Sequence, residues 1–92
     1  MSKRILEEAD GLINGERAKE YGHPSVNFSR IANLWNAHLM AKGFAVEFTC
    51  EDVAWMMMQV KQARAMEGFK RDTIVDAAGY IGIIELLNNN QE

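Results

Sequence analysis

Apolar residues recur along this chain at intervals of three and four, the spacing of helices that bury one face. The first series puts Ile5, Ala9, Leu12 and Ile13 on one side. The second uses Phe28, Ile31, Ala32, Trp35 and Leu39, and the third Val53, Met56, Met57 and Val60. The last is apolar nearly all round, with Ile74, Ala78 and Ile81 on one flank and Tyr80, Ile83 and Leu87 on another. A helix of that kind belongs in the middle of a bundle, and Ala78, Gly79 and Gly82 would let a neighbour come close to its axis. Turn residues separate the series. Asn14-Gly15, Gly43 and Gly68 suit helix C-termini, and Pro24 suits a first helical turn. Thr49–Asp52 and Thr73–Asp76 resemble capping boxes with Asp in place of Glu. Helices are therefore expected over about 3–14, 24–42, 50–67 and 73–88, with the brief alternation "FAVEF" at 44–48 as a loop. The fold class is all-α, a single compact bundle of about four helices.

The chain has 92 residues, enough for one domain, 1–92, with a short tail near 88–92 that frays. A chain of this size buries only roughly two-thirds of its unfolded surface. Its core is thin, and a homo-oligomer is expected. A hydrophobic content of 48% with 25% charge is that of a globular chain, not a disordered one. Net charge is −3 with acids and bases interspersed, so there is no basic stripe for nucleic acid. Cys50 is a single cysteine and suits a reduced, cytoplasmic setting. "MSKRILEEAD" carries acids where a signal peptide needs an apolar run. No stretch approaches the apolar length that spans a membrane.

Some residues fall out of pattern. Trp55 and Met58 point away from the main stripe of the third helix at about 100° per residue. They are either a second contact inside the bundle or a surface for a partner or a second copy. Arg64 projects among Val53, Met57 and Val60, with Lys61 to one side, and Asp76 projects among Tyr80, Ile83 and Leu87. A charge in an apolar stripe is costly unless paired. Lys61 and Arg64 are expected to meet Asp72 and Asp76 across an antiparallel helix pair joined by "EGFKRD". That cluster is either an internal ion network or a site for a polyphosphate or a metal–phosphate complex.

Around Pro24, "YGHP" puts Tyr21, Gly22 and His23 at the mouth of the second helix, with Asn27 and Arg30 within its first turns. A helix N-terminus offers free N–H groups to an anion, and His23 is a candidate proton carrier. The same residues also suit a capped helix start whose Tyr21 packs on the core. Cys50 sits at a helix start beside Glu51 and Asp52, which oppose its activation, and is read as passive. Phosphate-loop, G-x-S-x-G and H-E-x-x-H motifs are absent.

"EYGHPSVNFSRIANLW", "EDVAWMMMQVKQAR" and "DTIVDAAGY" resemble, over roughly 3–87, the blocks of a group of small phage and prophage proteins of unassigned function. The resemblance rests on Tyr21, Gly22, Asn27, Phe28, Trp35, Asp52, Lys61, Arg64, Asp72, Asp76, Gly79 and Tyr80. It implies a phage context and a host-cell location, and supplies no activity. A weaker likeness is to MazG-like all-α nucleotide pyrophosphohydrolases, whose E-x-x-E and E-x-x-D pairs hold Mg²⁺ against a nucleoside triphosphate. Asp72 and Asp76 stand about where the second pair would lie, but four apart, and the second helix has no acid between Pro24 and Ala41.

Two functions follow. In one, a nucleotide or phosphate ligand is bound or hydrolysed between the Tyr21–Arg30 segment and the Lys61/Arg64/Asp72/Asp76 cluster. Tyr21, Asn27, Arg30, Lys61 and Arg64 would contact the ligand, Asp72 and Asp76 would orient them or hold Mg²⁺, and His23 would move the proton. In the other, a non-enzymatic protein binds a host or phage protein through an apolar surface that includes Trp55 and Met58.

Overall fold

Thr49 and Asp52 start the third helix as their spacing predicts. The Asp52 N–H donates to Thr49 Oγ1 at 3.2 Å, and the Thr49 N–H donates back to Asp52 Oδ2 at 2.9 Å. The computed structural model describes residues 4–15 and 23–89, so Tyr21 and Gly22 lie outside it. Four helices follow one another: α1 (Ile5–Asn14), α2 (Pro24–Ala41), α3 (Cys50–Ala65) and α4 (Arg71–Asn88). No strand occurs among the described residues, and 44–48 is a loop.

Punctuation explains most of the boundaries. Pro24 opens α2. Gly43 and Gly68 follow α2 and α3 with φ of 96° and 137°, a region that costs glycine nothing and other residues strain. Gly15 also ends α1, but with φ −92° and no left-handed turn. The expected capping box at Thr73–Asp76 does not form. The chain turns at Gly68 and α4 begins at Arg71, so both residues lie inside the helix and its N-cap, Lys70, makes no side-chain cap bond.

α3 and α4 form an antiparallel hairpin, tied at one end by Asn88 Nδ2 donating to Glu51 Oε1 and further along by a Lys61–Asp76 ion pair. α1 runs beside α4 in the same direction, with Glu8 paired to Arg71 and Ile13 against Gly79 and Gly82. A Cβ at Gly82 would stand 2.5 Å from Ile13 Cδ1, so the small residues do admit a close neighbour, and it is α1. α2 packs on one face of the hairpin. Phe28 and Ala32 meet Val53 and Ala54 in the main core, with Tyr80 and Ile83 of α4 against them. The loop before α3 is held to α2 by Asn36, whose side chain accepts the Phe48 N–H at 2.7 Å and donates to the Phe48 carbonyl at 3.3 Å. Trp35 meets the Phe48 ring edge-on, with centroids 5.9 Å apart.

The buried stripe of α3 departs from the expected one. Val53 and Ala54 are fully buried, whereas Val60 is 44% exposed. α2 covers only the first half of α3. Beyond Met57 the helix has α4 as its neighbour, and the buried face turns toward Ala54, Met57 and Lys61. Among the described residues six apolar side chains are buried: Ala9, Phe28, Ala32, Val53, Ala54 and Val75.

Candidate functional site

A charge contact across the hairpin joins Lys61 Nζ to Asp76 Oδ2 at 3.0 Å. The Lys61 side chain is 16% exposed and that of Asp76 41%. The lysine stem therefore lies along apolar surface while its ammonium reaches a half-hydrated carboxylate. On its other side Asp76 borders an open groove of ≈ 230 Å³ between α1 and α4, walled by Leu12, Ile13, Val75 and Ile83 and edged by Tyr80. The Tyr80 ring packs at 6.3 Å from Phe28, which links the groove to the start of α2.

The other expected members do not converge here. Arg64 is exposed. It shares the projection of Val53 but lies past the reach of α2, so no apolar wall faces it. Asp72 is exposed in the first turn of α4, where free N–H groups favour a negative charge without a cationic partner. The four-residue cluster thus reduces to the Lys61–Asp76 pair. Asn27 and Arg30 are exposed. Arg30 lies about 200° around α2 from Phe28, so it faces solvent while Phe28 faces α4. Among the described residues no three His, Cys, Asp or Glu side chains are placed to hold a metal ion, and one oxygen of Asp76 already accepts from Lys61.

His23 is the N-cap of α2. Its Nδ1 accepts the Ser25 N–H at 3.1 Å and lies 2.9 Å from Ser25 Oγ. Cys50 ties the starts of α2 and α3, with Sγ 3.0 Å from Ser29 Oγ and 3.6 Å from the Ser25 carbonyl. Tyr21 lies outside the described residues.

The two apolar candidates on α3, Trp55 and Met58, differ in exposure: Trp55 is exposed and Met58 half-buried. At 100° per residue Trp55 and Met58 lie about 200° and 140° around α3 from Val53, which packs on α2, and the indole Nε1 of Trp55 donates to Glu51 Oε2 at 3.3 Å. Trp55 is 41% exposed. On α4, Ile81 is 45% exposed and stands level with the middle of α3 in the register set by the Lys61–Asp76 and Glu51–Asn88 contacts. The sequence pattern puts Ile81 on one side of an apolar helix expected at the centre of the bundle. Its position in the antiparallel hairpin, level with the middle of α3, is the signal that a single-helix projection lacks.

The family model described as "Domain of unknown function (DUF6378)" matches residues 4–88. The chain belongs to this family. Two curated relatives of this DUF6378 chain are the Gene 55 proteins of Mycobacterium phage L5, 51% identical over 82 residues, and of Mycobacterium phage D29, 46% identical over 86 residues. The matches cover 88% and 92% of this chain but 50% and 54% of the relatives, so the chain spans about half their length. The expected likeness to a phage group of unassigned function is thereby met. None of these matches is to a MazG-like pyrophosphohydrolase, and no solved structure matches the chain. No helix among the described residues is long and apolar enough to cross a membrane.

Proposed function

We propose that this DUF6378 chain is a helical interaction module of a phage protein, working in the host cytoplasm. It offers the α3–α4 face that carries Trp55, Met58 and Ile81 to another protein surface. The observation that carries this reading is the exposed apolar surface of Trp55 and Ile81, in a domain with six buried apolar side chains among the described residues. The Glu51 hydrogen bond orients the Trp55 indole and leaves its ring free, and an oriented Trp is a common anchor of protein interfaces. The test is partner retention from infected-host lysate by immobilised wild-type and Trp55→Ala chains. Retention is expected to fall about tenfold with helicity by circular dichroism unchanged. Equal retention would remove the reading.

A nucleotide or phosphate ligand is the second reading, favoured by the groove that Asp76 and Tyr80 border next to the Lys61 ammonium. Arg64, Asp72, Arg30 and Asn27 are exposed and do not line this groove. It predicts a rise in melting temperature with nucleoside triphosphate plus Mg²⁺ that Asp76→Asn abolishes.

A further inference from the structure

We infer that α1 is a displaceable strap. It opens while α2, α3 and α4 stay folded, and the seat it leaves on α4 takes an amphipathic helix of a partner protein with the chemistry of α1 itself. The seat is separate from the α3–α4 face and does not depend on it. α1 is weakly held. It packs on α4, and of its ten residues Ala9 is the one buried. Its start has no side-chain cap, and a helix of that length is marginal by itself. The contacts that keep it closed are the Glu8–Arg71 pair and Ile13 against Gly79 and Gly82. Both members of the pair are more than a third exposed, so the pair holds weakly. The main core of Phe28, Ala32, Val53 and Ala54 includes no α1 residue among the described residues. It can therefore stay closed when α1 leaves.

The fit of α1 is also incomplete. Beside it runs the open groove of ≈ 230 Å³ between Leu12 and Ile13 of α1 and Val75 and Ile83 of α4. Closely packed cores leave few voids larger than a water molecule. Along α4 the seat follows Arg71, Val75, Gly79 and Gly82, at the helical spacing by which one helix faces another. The resident helix shows what the seat accepts. An acid meets Arg71, and five positions later a β-branched side chain lies over the two glycines. A partner helix with that pair and a larger apolar side chain in the place of Leu12 keeps both contacts and fills the groove as well. That surplus is what lets it displace a helix tethered in the same chain.

A fluorescein-labelled peptide of residues 4–15, added to the full chain, tests this. In wild type the tethered α1 competes, so the apparent affinity is the intrinsic one reduced by the small open fraction. Ile13→Ala in the chain loosens α1 and should tighten peptide binding at least about tenfold. A Cβ at Gly82 stands 2.5 Å from Ile13 Cδ1, so adding Gly82→Val should abolish that binding. Should either variant fail to fold, hydrogen exchange of wild type serves in its place. Excess peptide should speed exchange of the chain's own Glu8–Asn14 amides at least about threefold and leave those of Val53–Met57 unchanged. Equal binding by wild type and Ile13→Ala overturns the inference, as does binding that survives Gly82→Val. So does α1 exchange indifferent to the peptide, or an Ile13→Ala chain in which α3 opens together with α1. A dimer in sedimentation equilibrium that Gly82→Val returns to monomer mass gives the seat to α1 of a second copy and overturns the partner helix.

Discussion

At the scale of single residues, the Lys61–Asp76 contact is asymmetric, and the asymmetry is testable. Asp76 is half open to water and can rehydrate if its partner goes, whereas the Lys61 side chain as a whole is largely covered. Lys61→Met keeps the buried stem and should cost under about 1 kcal/mol. Asp76→Leu takes the carboxylate from a lysine whose side chain is largely covered and should cost more, about 1–3 kcal/mol, less the part that side-chain relaxation to solvent recovers. Urea unfolding of both variants reads the difference, and equal losses would mean that the lysine is free to turn outward. His23 makes a second case. Its Nδ1 does the work of a cap, accepting the Ser25 N–H, so His23→Ala should lose about 0.5–1 kcal/mol and His23→Ser should regain most of it. A proton carrier would not be replaced by serine, so activity or ligand binding that tracks the imidazole rather than the cap would separate the two roles.

At the scale of elements, what the sequence made legible is what local chemistry decides. The Thr49–Asp52 box, Pro24 at the head of α2, and the positive-φ glycines after α2 and α3 each act within a few residues, and each stands where its pattern puts it. Thr73–Asp76 has the same pattern and does not cap, because the turn at Gly68 and the Arg71–Glu8 pair start α4 two residues earlier. The stripe on α3 was misread for a related reason. A helical wheel says which residues share a side but not how far along the helix a neighbour extends, and so Val60 and Arg64 are exposed although they project with Val53. Asn36 gave no signal at all, since its two bonds to Phe48 exist only once the loop folds back on α2. Of the candidate site, only Lys61 with Asp76 was legible as a contact, because those two lie where α3 and α4 face each other. Glycine in α1 gives the prediction proper to this scale. A Cβ at Gly11 would meet nothing within 4 Å, so Gly11→Ala should stabilise the domain by about 0.5–1 kcal/mol through helix propensity. A Cβ at Gly15 would fall 2.3 Å from the Gly11 carbonyl oxygen, so Gly15→Ala should destabilise it. Thermal unfolding of the two variants should move the midpoint in opposite directions.

At the scale of the whole molecule, stability is unevenly spread. The main core joins α2, α3 and α4 through Phe28, Ala32, Val53 and Ala54, and rings from Trp35, Phe48 and Tyr80 surround it. α1 stands apart from that core. It has ten residues, one of them buried, no side-chain cap at its start, and no basic residue in its last turn. An isolated helix of that length is marginal in water, so α1 is helical because it leans on α4 through Ile13, Ala9 and the Glu8–Arg71 pair. Losing those contacts exposes Val75 and the groove but leaves the α2–α3–α4 core closed. Local opening of α1 should therefore occur well below the free energy of global unfolding. Native-state hydrogen exchange should find the amides of Glu8–Asn14 exchanging at least about tenfold faster than those near Val53–Met57 and Ile83–Leu87. Glu8→Gln should widen the gap by loosening α1 alone. If the α1 amides instead exchanged at the rate of the α3 core under every condition, the four helices would open as one unit and the division into a core and a docked first helix would be wrong.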